Sequence, residues 1–105
     1  MRVLRYGTHN RSGSRLAMVG DPTGMKLEIV ENPEAKEARF LHVAFRASDV
    51  DASLTALAEK GWEAMGGAKD LASAHARTGR VVGPDGFELQ MITYQPSSPD
   101  IVEWK

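Results

Sequence analysis

The sequence contains no cysteine. That count removes disulfides, thiolate zinc sites and cysteine nucleophiles, and it suits a cytoplasmic protein. No apolar run approaches the roughly 20 residues that span a bilayer, and no apolar signal region follows Met1, so neither insertion nor export is expected. An excess of charge of either sign is missing too, since 13 Lys and Arg stand against 14 Asp and Glu for a formal charge of −1. Such a chain has no bulk attraction for nucleic acid or for an acidic membrane, and neither is expected as a partner. Phosphate-loop spacing is absent around Gly61, Gly66 and Gly67, and no Ser/His/Asp signature supports hydrolase chemistry. What remains is a chain of 105 residues, 42% apolar and 26% charged, with the length and balance of one globular domain.

Hydrophobic period and turn chemistry divide that chain into short elements. Val3, Leu4 and Tyr6 begin a strand that ends in the turn-rich segment Gly7 to Gly13, and Ser14 to Gly20 reads as a buried strand. Asp21-Pro22-Thr23-Gly24 has the residues of a tight hairpin. Beyond it Met25, Leu27 and Ile29 alternate with polar positions, so one face is apolar and the other presents Glu28. Glu31 to Ala38 has no apolar period and reads as a connector. Arg39 to Ala47 alternates again, with Leu41, Val43 and Phe45 on one face and Phe40, His42, Ala44 and Arg46 on the other.

Ser48 is the expected N-cap of a helix, with Asp51 three positions on. Val50, Leu54, Leu57 and Ala58 recur at helical spacing until Gly61. Trp62 to Ala68 and Ala76 to Val82 are expected strands with a loop at Leu71 to His75. Gly83-Pro84-Asp85-Gly86 is a second tight turn, and a closing strand places Phe87, Leu89 and Met91 opposite Glu88, Gln90 and Ile92. The tail from Pro96 is expected to be an extension whose Ile101, Val102 and Trp104 dock on a partner surface.

A shift of 62 positions lays Asp21-Pro22-Thr23-Gly24 on Gly83-Pro84-Asp85-Gly86, Arg15 on Arg77, Val19 on Val81, Leu27 on Leu89 and Glu28 on Gln90. The second copy runs from about Arg39 to Tyr94 as strand, helix, strand, strand, strand. The first begins at Met1, opposite Glu63, and so lacks an opening strand and helix of about 20 to 25 residues. This arithmetic gives an incomplete first module over 1–34, a complete second module over 38–96 and an extension over 97–105. Leu16, Met18, Leu27 and Ile29 then want a covering helix that the first copy does not have. Uncovered apolar sheet favours association, so a homodimer is expected, with strands or a domain exchanged between chains.

The segments Asp21-Pro22-Thr23-Gly24-Met25-Lys26-Leu27-Glu28-Ile29, Leu41-His42-Val43-Ala44-Phe45 with the helix start Asp49-Val50-Asp51, and Gly83-Pro84-Asp85-Gly86-Phe87-Glu88-Leu89-Gln90 resemble the vicinal oxygen chelate superfamily. That superfamily holds glyoxalase I, bleomycin-resistance proteins, methylmalonyl-CoA epimerase and extradiol dioxygenases. The resemblance covers about Met1 to Tyr94 and implies an α+β fold of βαβββ modules curling as a mixed sheet around a cavity. In metal-dependent members each module gives one ligand from its first strand and one from its last. By position these fall on Glu28, His42 and Gln90, and the fourth lies before Met1. Gln90 stands where the family often has Glu.

Two readings follow. In one, Glu28, His42 and Gln90 hold a divalent metal (Zn, Ni, Mn or Fe), and Glu28 is the catalytic base of a lyase or isomerase acting on a small α-hydroxycarbonyl or thioester. Phe40, Glu88 and Arg80 are then candidate substrate contacts, and Arg77 is a further cation for an anionic substrate. In the other, a metal-free cavity of the bleomycin-resistance kind sequesters a small molecule, His42 is a hydrogen-bonded cavity residue and Glu28 a solvated strand residue. An iron dioxygenase wants two histidines and a carboxylate, and His9 and His75 both fall in loops. The position of Met1 at a second-strand start also suits an internal start or a coding fragment.

Overall fold

Turn residues and strand period act locally, and in the computed structural model, which describes residues 1–9 and 12–101, they produce two units. The first comprises Met1–Ala38 with the described residues from Pro99, and the second Arg39–Ser98. Val102 and Trp104, expected to dock on a partner, lie outside the described residues.

In the first unit, β1 (Arg2–Thr8), β2 (Arg15–Gly20) and β3 (Lys26–Val30) form an antiparallel sheet in chain order. The hairpin between β2 and β3 closes through Asp21, whose Oδ1 accepts from the amides of Thr23 (2.9 Å) and Met25 (3.2 Å). Gly24 supplies the left-handed residue, φ +95°, that the turn requires. Residues paired across a ladder share a face. Leu16 opposite Val30 and Met18 opposite Glu28 therefore define one face, while Ala17 opposite Ile29 and Val19 opposite Leu27 define the other.

This corrects the expected apolar face. Leu16 and Met18 are buried on the side that carries Glu28, whereas Leu27 and Ile29 stand exposed with Val3 and Tyr6 of β1. The register shifts between Val3 and Arg5, and Leu4 is the extra residue of that bulge. Asp100, only 2% exposed, meets the Arg5 guanidinium, with Nη2 donating to Oδ2 at 3.0 Å and Nε to Oδ1, and its carbonyl accepts from Lys26 Nζ. The tail is thus anchored on the first unit at Asp100 rather than merely extending from the chain.

The second unit begins with β4 (Val43–Arg46) and α1 (Val50–Glu59), followed by β5 (Glu63–Ala64), β6 (Lys69–Leu71), β7 (Ala76–Val82) and β8 (Glu88–Tyr94). Sheet order is β4-β8-β7-β5, with β6 also on β7. β4 runs parallel to β8, while the remaining pairs are antiparallel. Asp49, not Ser48, caps α1: its extended backbone (φ −145°, ψ 103°) lets Oδ1 accept from the Ala52 amide at 3.1 Å. Asp51 is then free to reach across to the sheet. Gly61, at φ +93°, ends the helix with its amide on the Ala58 carbonyl.

The strand expected over Trp62 to Ala68 is broken, because Gly66 turns the chain at φ +83° and leaves β5 and β6 as two short ladders on β7. Helix α1 packs on β7 and β8. The approach is close enough that a Cβ on Gly79 would lie 2.5 Å from Leu54 Cδ1. On the opposite face of the sheet Ala74, Ala76 and Ile92 form a buried cluster with Leu71 and Tyr94 against it.

The 62-residue repeat holds at the level of register. Met18 pairs with Glu28 as Arg80 pairs with Gln90, and Ala17 pairs with Ile29 as Gly79 pairs with Met91. Turn bonds repeat as well, Asp21 to Met25 and Gly83 to Phe87.

Candidate functional site

The period of two along β7 and β8 places Thr78, Arg80, Glu88 and Gln90 on the face turned away from α1. Ala44 of β4 pairs with Gln90, so His42, two residues earlier, reaches the same face beside Glu88 and Gln90. His42 and Glu88 retain 26% and 21% exposure of their side chains. They are shielded enough to hold fixed geometry and open enough to meet a small molecule.

The hydrogen bonds run as one chain. Arg80 Nη1 donates to Glu88 Oε2 at 3.1 Å, and the same oxygen lies 2.9 Å from His42 Nδ1. His42 Nε2 lies 3.0 Å from Gln90 Oε1, Gln90 Nε2 donates to Thr78 Oγ1 at 2.7 Å, and Thr78 Oγ1 donates to the Met91 carbonyl at 3.0 Å. The last bond fixes the others. Because the Thr78 proton is committed to Met91, Thr78 accepts from the Gln90 amide nitrogen, which leaves the Gln90 carbonyl oxygen facing His42.

Glu88 accepts only, so Nδ1 carries a proton. The Nε2 lone pair and the Gln90 oxygen then confront each other, and that contact is satisfied by a cation shared between them: a proton on Nε2, or a metal ion bound by both.

The donor set fits a divalent metal in kind. An imidazole nitrogen and an amide oxygen suit Zn, Ni, Mn or Fe, and a ligating histidine characteristically gives its other N–H to a carboxylate, as His42 gives Nδ1–H to Glu88. Among the described residues no three His, Asp or Glu side chains gather at one point. His42 and Gln90 would be the ligands here, with Glu88 behind the ring.

The structure brings His42, Gln90, Glu88 and Arg80 together. Phe40 stands before β4 with 69% of its surface exposed, outside this chain of bonds. Glu28 belongs to the first unit, opposite Met18 on β2. Arg77 is corrected outright as a substrate cation: it lies on the helix-side face, where Asp51 (2.8 and 3.0 Å) and Asp70 (3.2 Å) hold it. These bonds raise the guanidinium above its ordinary value, and Arg77 in turn lowers the Asp51 carboxyl. Thr78 is the residue that sequence reasoning missed. Its signal was the strand period, which puts it on one face with Arg80.

No known family profile and no curated protein matches the chain. Solved structures do. Methylmalonyl-CoA epimerase of Streptomyces coelicolor, a variant in complex with 2-nitronate-propionyl-CoA, superposes with a TM-score of 0.67 over 91% of this chain and 78% of that one, at 21% identity. The chain has the vicinal oxygen chelate fold. A glyoxalase family protein from Enterococcus faecalis (TM-score 0.46, 20% identity, 87% of this chain and 76% of that one) is also similar. So is an integron cassette protein of Vibrio cholerae (0.42, 17%, 87% and 76%). The second unit runs as one strand, a helix and the strands β5 to β8, and the first unit is three strands. Among the described residues no helix is long and apolar enough to cross a membrane.

Proposed function

We propose that this is a glyoxalase-like cytoplasmic protein whose His42 and Gln90 hold a divalent metal, and that it acts as a lyase or isomerase on a small α-hydroxycarbonyl or thioester. The observation that carries this reading is the 3.0 Å approach of His42 Nε2 to Gln90 Oε1, two lone-pair atoms that a shared cation reconciles. A bound metal supplies Lewis-acid polarisation of a carbonyl oxygen. Phe40, Glu88 and Arg80 are the proposed substrate contacts, Arg80 and Glu88 through their charged pair and Phe40 through its exposed ring. The acyl-CoA ligand of the Streptomyces epimerase supports trying thioesters first.

A homodimer is part of the proposal. The exposed row of Val3, Tyr6, Leu27 and Ile29 on the first unit is the kind of apolar sheet surface that a second copy covers. A metal-free small-molecule binder is the second reading, favoured by the fact that a ring protonated on both nitrogens satisfies the same two contacts.

Metal content separates the two. Protein purified without chelator or nickel resin, measured by plasma mass spectrometry, is expected to hold near-stoichiometric metal that His42→Ala loses. A metal-free parent overturns the metalloenzyme reading and moves the work to ligand screening.

A further inference from the structure

We infer that Glu88, clamped by Arg80, is a positioning residue that selects the tautomer of His42 and so decides which ring nitrogen is offered to the Gln90 oxygen. The inference rests on the metal reading above for its purpose, but not for its geometry. Two acceptors compete for the one proton of a neutral ring: Glu88 Oε2 at 2.9 Å from Nδ1 and Gln90 Oε1 at 3.0 Å from Nε2. They are not equal. A hydrogen bond to a charged acceptor is roughly twice as strong as one between neutral groups, so the carboxylate takes the proton and Nε2 is left with its lone pair toward the Gln90 oxygen. With the opposite tautomer Nε2–H would close on Gln90, and neither atom would be available to a metal.

Arg80 makes the selection rigid. Its Nη1 holds the same carboxylate oxygen at 3.1 Å, so Glu88 is fixed in reach of the ring instead of swinging to solvent. Strand geometry makes this possible: Arg80 pairs with Gln90 and is diagonal to Glu88, the separation at which long side chains on one sheet face meet. One oxygen of Glu88, Oε2, is thereby engaged on both sides, by the ring and by the guanidinium.

The test reads the ring directly. Long-range ¹H–¹⁵N spectra of full-length, metal-free protein at about pH 9, above the ordinary histidine range, are expected to show His42 as the Nδ1–H tautomer. Glu88→Gln, which replaces the charged acceptor with a neutral one, should bring the tautomers toward equal populations, and Glu88→Ala should move the ring to Nε2–H. Zinc titrated against a chelating dye should bind each variant about 10- to 100-fold more weakly than the parent. Matched thermal melts exclude unfolding as the cause.

An Nε2–H ring in the parent, a ring protonated on both nitrogens, or a tautomer unmoved by Glu88→Ala overturns the inference. The expected tautomers with no zinc binding in the parent uphold Glu88 as the selector and count against the metal reading alone.

Discussion

Gly79→Ala is the substitution on which the packing argument is most exposed. A Cβ at this position would lie 2.5 Å from Leu54 Cδ1, 3.2 Å from Cδ2 and 3.3 Å from Cγ, where carbon atoms rest at about 3.5 to 4.0 Å. Turning Leu54 about its last torsion does not clear the clash, because both methyls and the branch carbon are too near. Either the leucine adopts a strained rotamer or α1 lifts from β7. Overpacking of this kind costs about 1 to 3 kcal/mol, and each kcal/mol lowers the melting temperature of a domain near this size by about 4 to 8 °C. Urea unfolding followed by circular dichroism supplies the number.

The same substitution made in a Leu54→Ala background should be close to neutral, because the obstacle is gone and alanine is favoured over glycine in a strand. Ala17, the repeat partner of Gly79, already carries a Cβ, and Ala17→Gly is expected to cost about 0.5 to 1 kcal/mol. A neutral Gly79→Ala, or one with the same cost in both backgrounds, would refute the seating of α1 over Gly79.

Loss of the Asp49 cap by Asp49→Ala should destabilise α1 by about 1 kcal/mol in thermal melts, with Ser48→Ala near neutral. The carboxyls of Asp21, Glu31 and Asp51 are held below the ordinary range by hydrogen bonds from Thr23, Arg15 and Arg77 respectively. The folded state therefore binds fewer protons than the unfolded. The stability these groups contribute is complete above their unfolded values and lost as pH falls through the lowered folded ones, which melting between about pH 5 and pH 2 should show. Leu27→Lys with Ile29→Lys places charge on the exposed sheet face of the first unit, and light scattering should show a dimer becoming a monomer. Two copies still associated at low micromolar concentration would rule that face out as the contact.

Much of the fold was legible because its signals are local. Tight turns at Asp21 to Gly24 and Gly83 to Gly86, the period of two around them and the helical spacing up to Gly61 each depend on a few adjacent residues. The α+β class follows from them. What failed depended on pairing. Leu16 and Met18 look like partners of Leu27 and Ile29 until the ladder sets Met18 opposite Glu28, and a register cannot be read from one strand alone.

The same limit explains Arg77 and Arg80, three residues apart and alike in composition. Odd spacing on a strand sends them to opposite faces, one to the helix and the other to Glu88. At the candidate site the residue types were visible in the sequence, but the direction of the Gln90 amide was not. It depends on a threonine proton given to a backbone carbonyl.

The bond between Arg5 and Asp100 sets an order on assembly. During synthesis the strands β1 to β3 emerge first, yet the carboxylate that neutralises Arg5 and the carbonyl that receives Lys26 arrive 95 and 74 residues later, respectively. By then all of Arg39 to Ser98 has been made. The first unit to begin is thus the last to be completed, because the contacts of Asp100 with Arg5 and Lys26 close only then. A nascent chain paused before that residue would present the exposed Val3, Tyr6, Leu27 and Ile29 of the sheet before its last contacts are made.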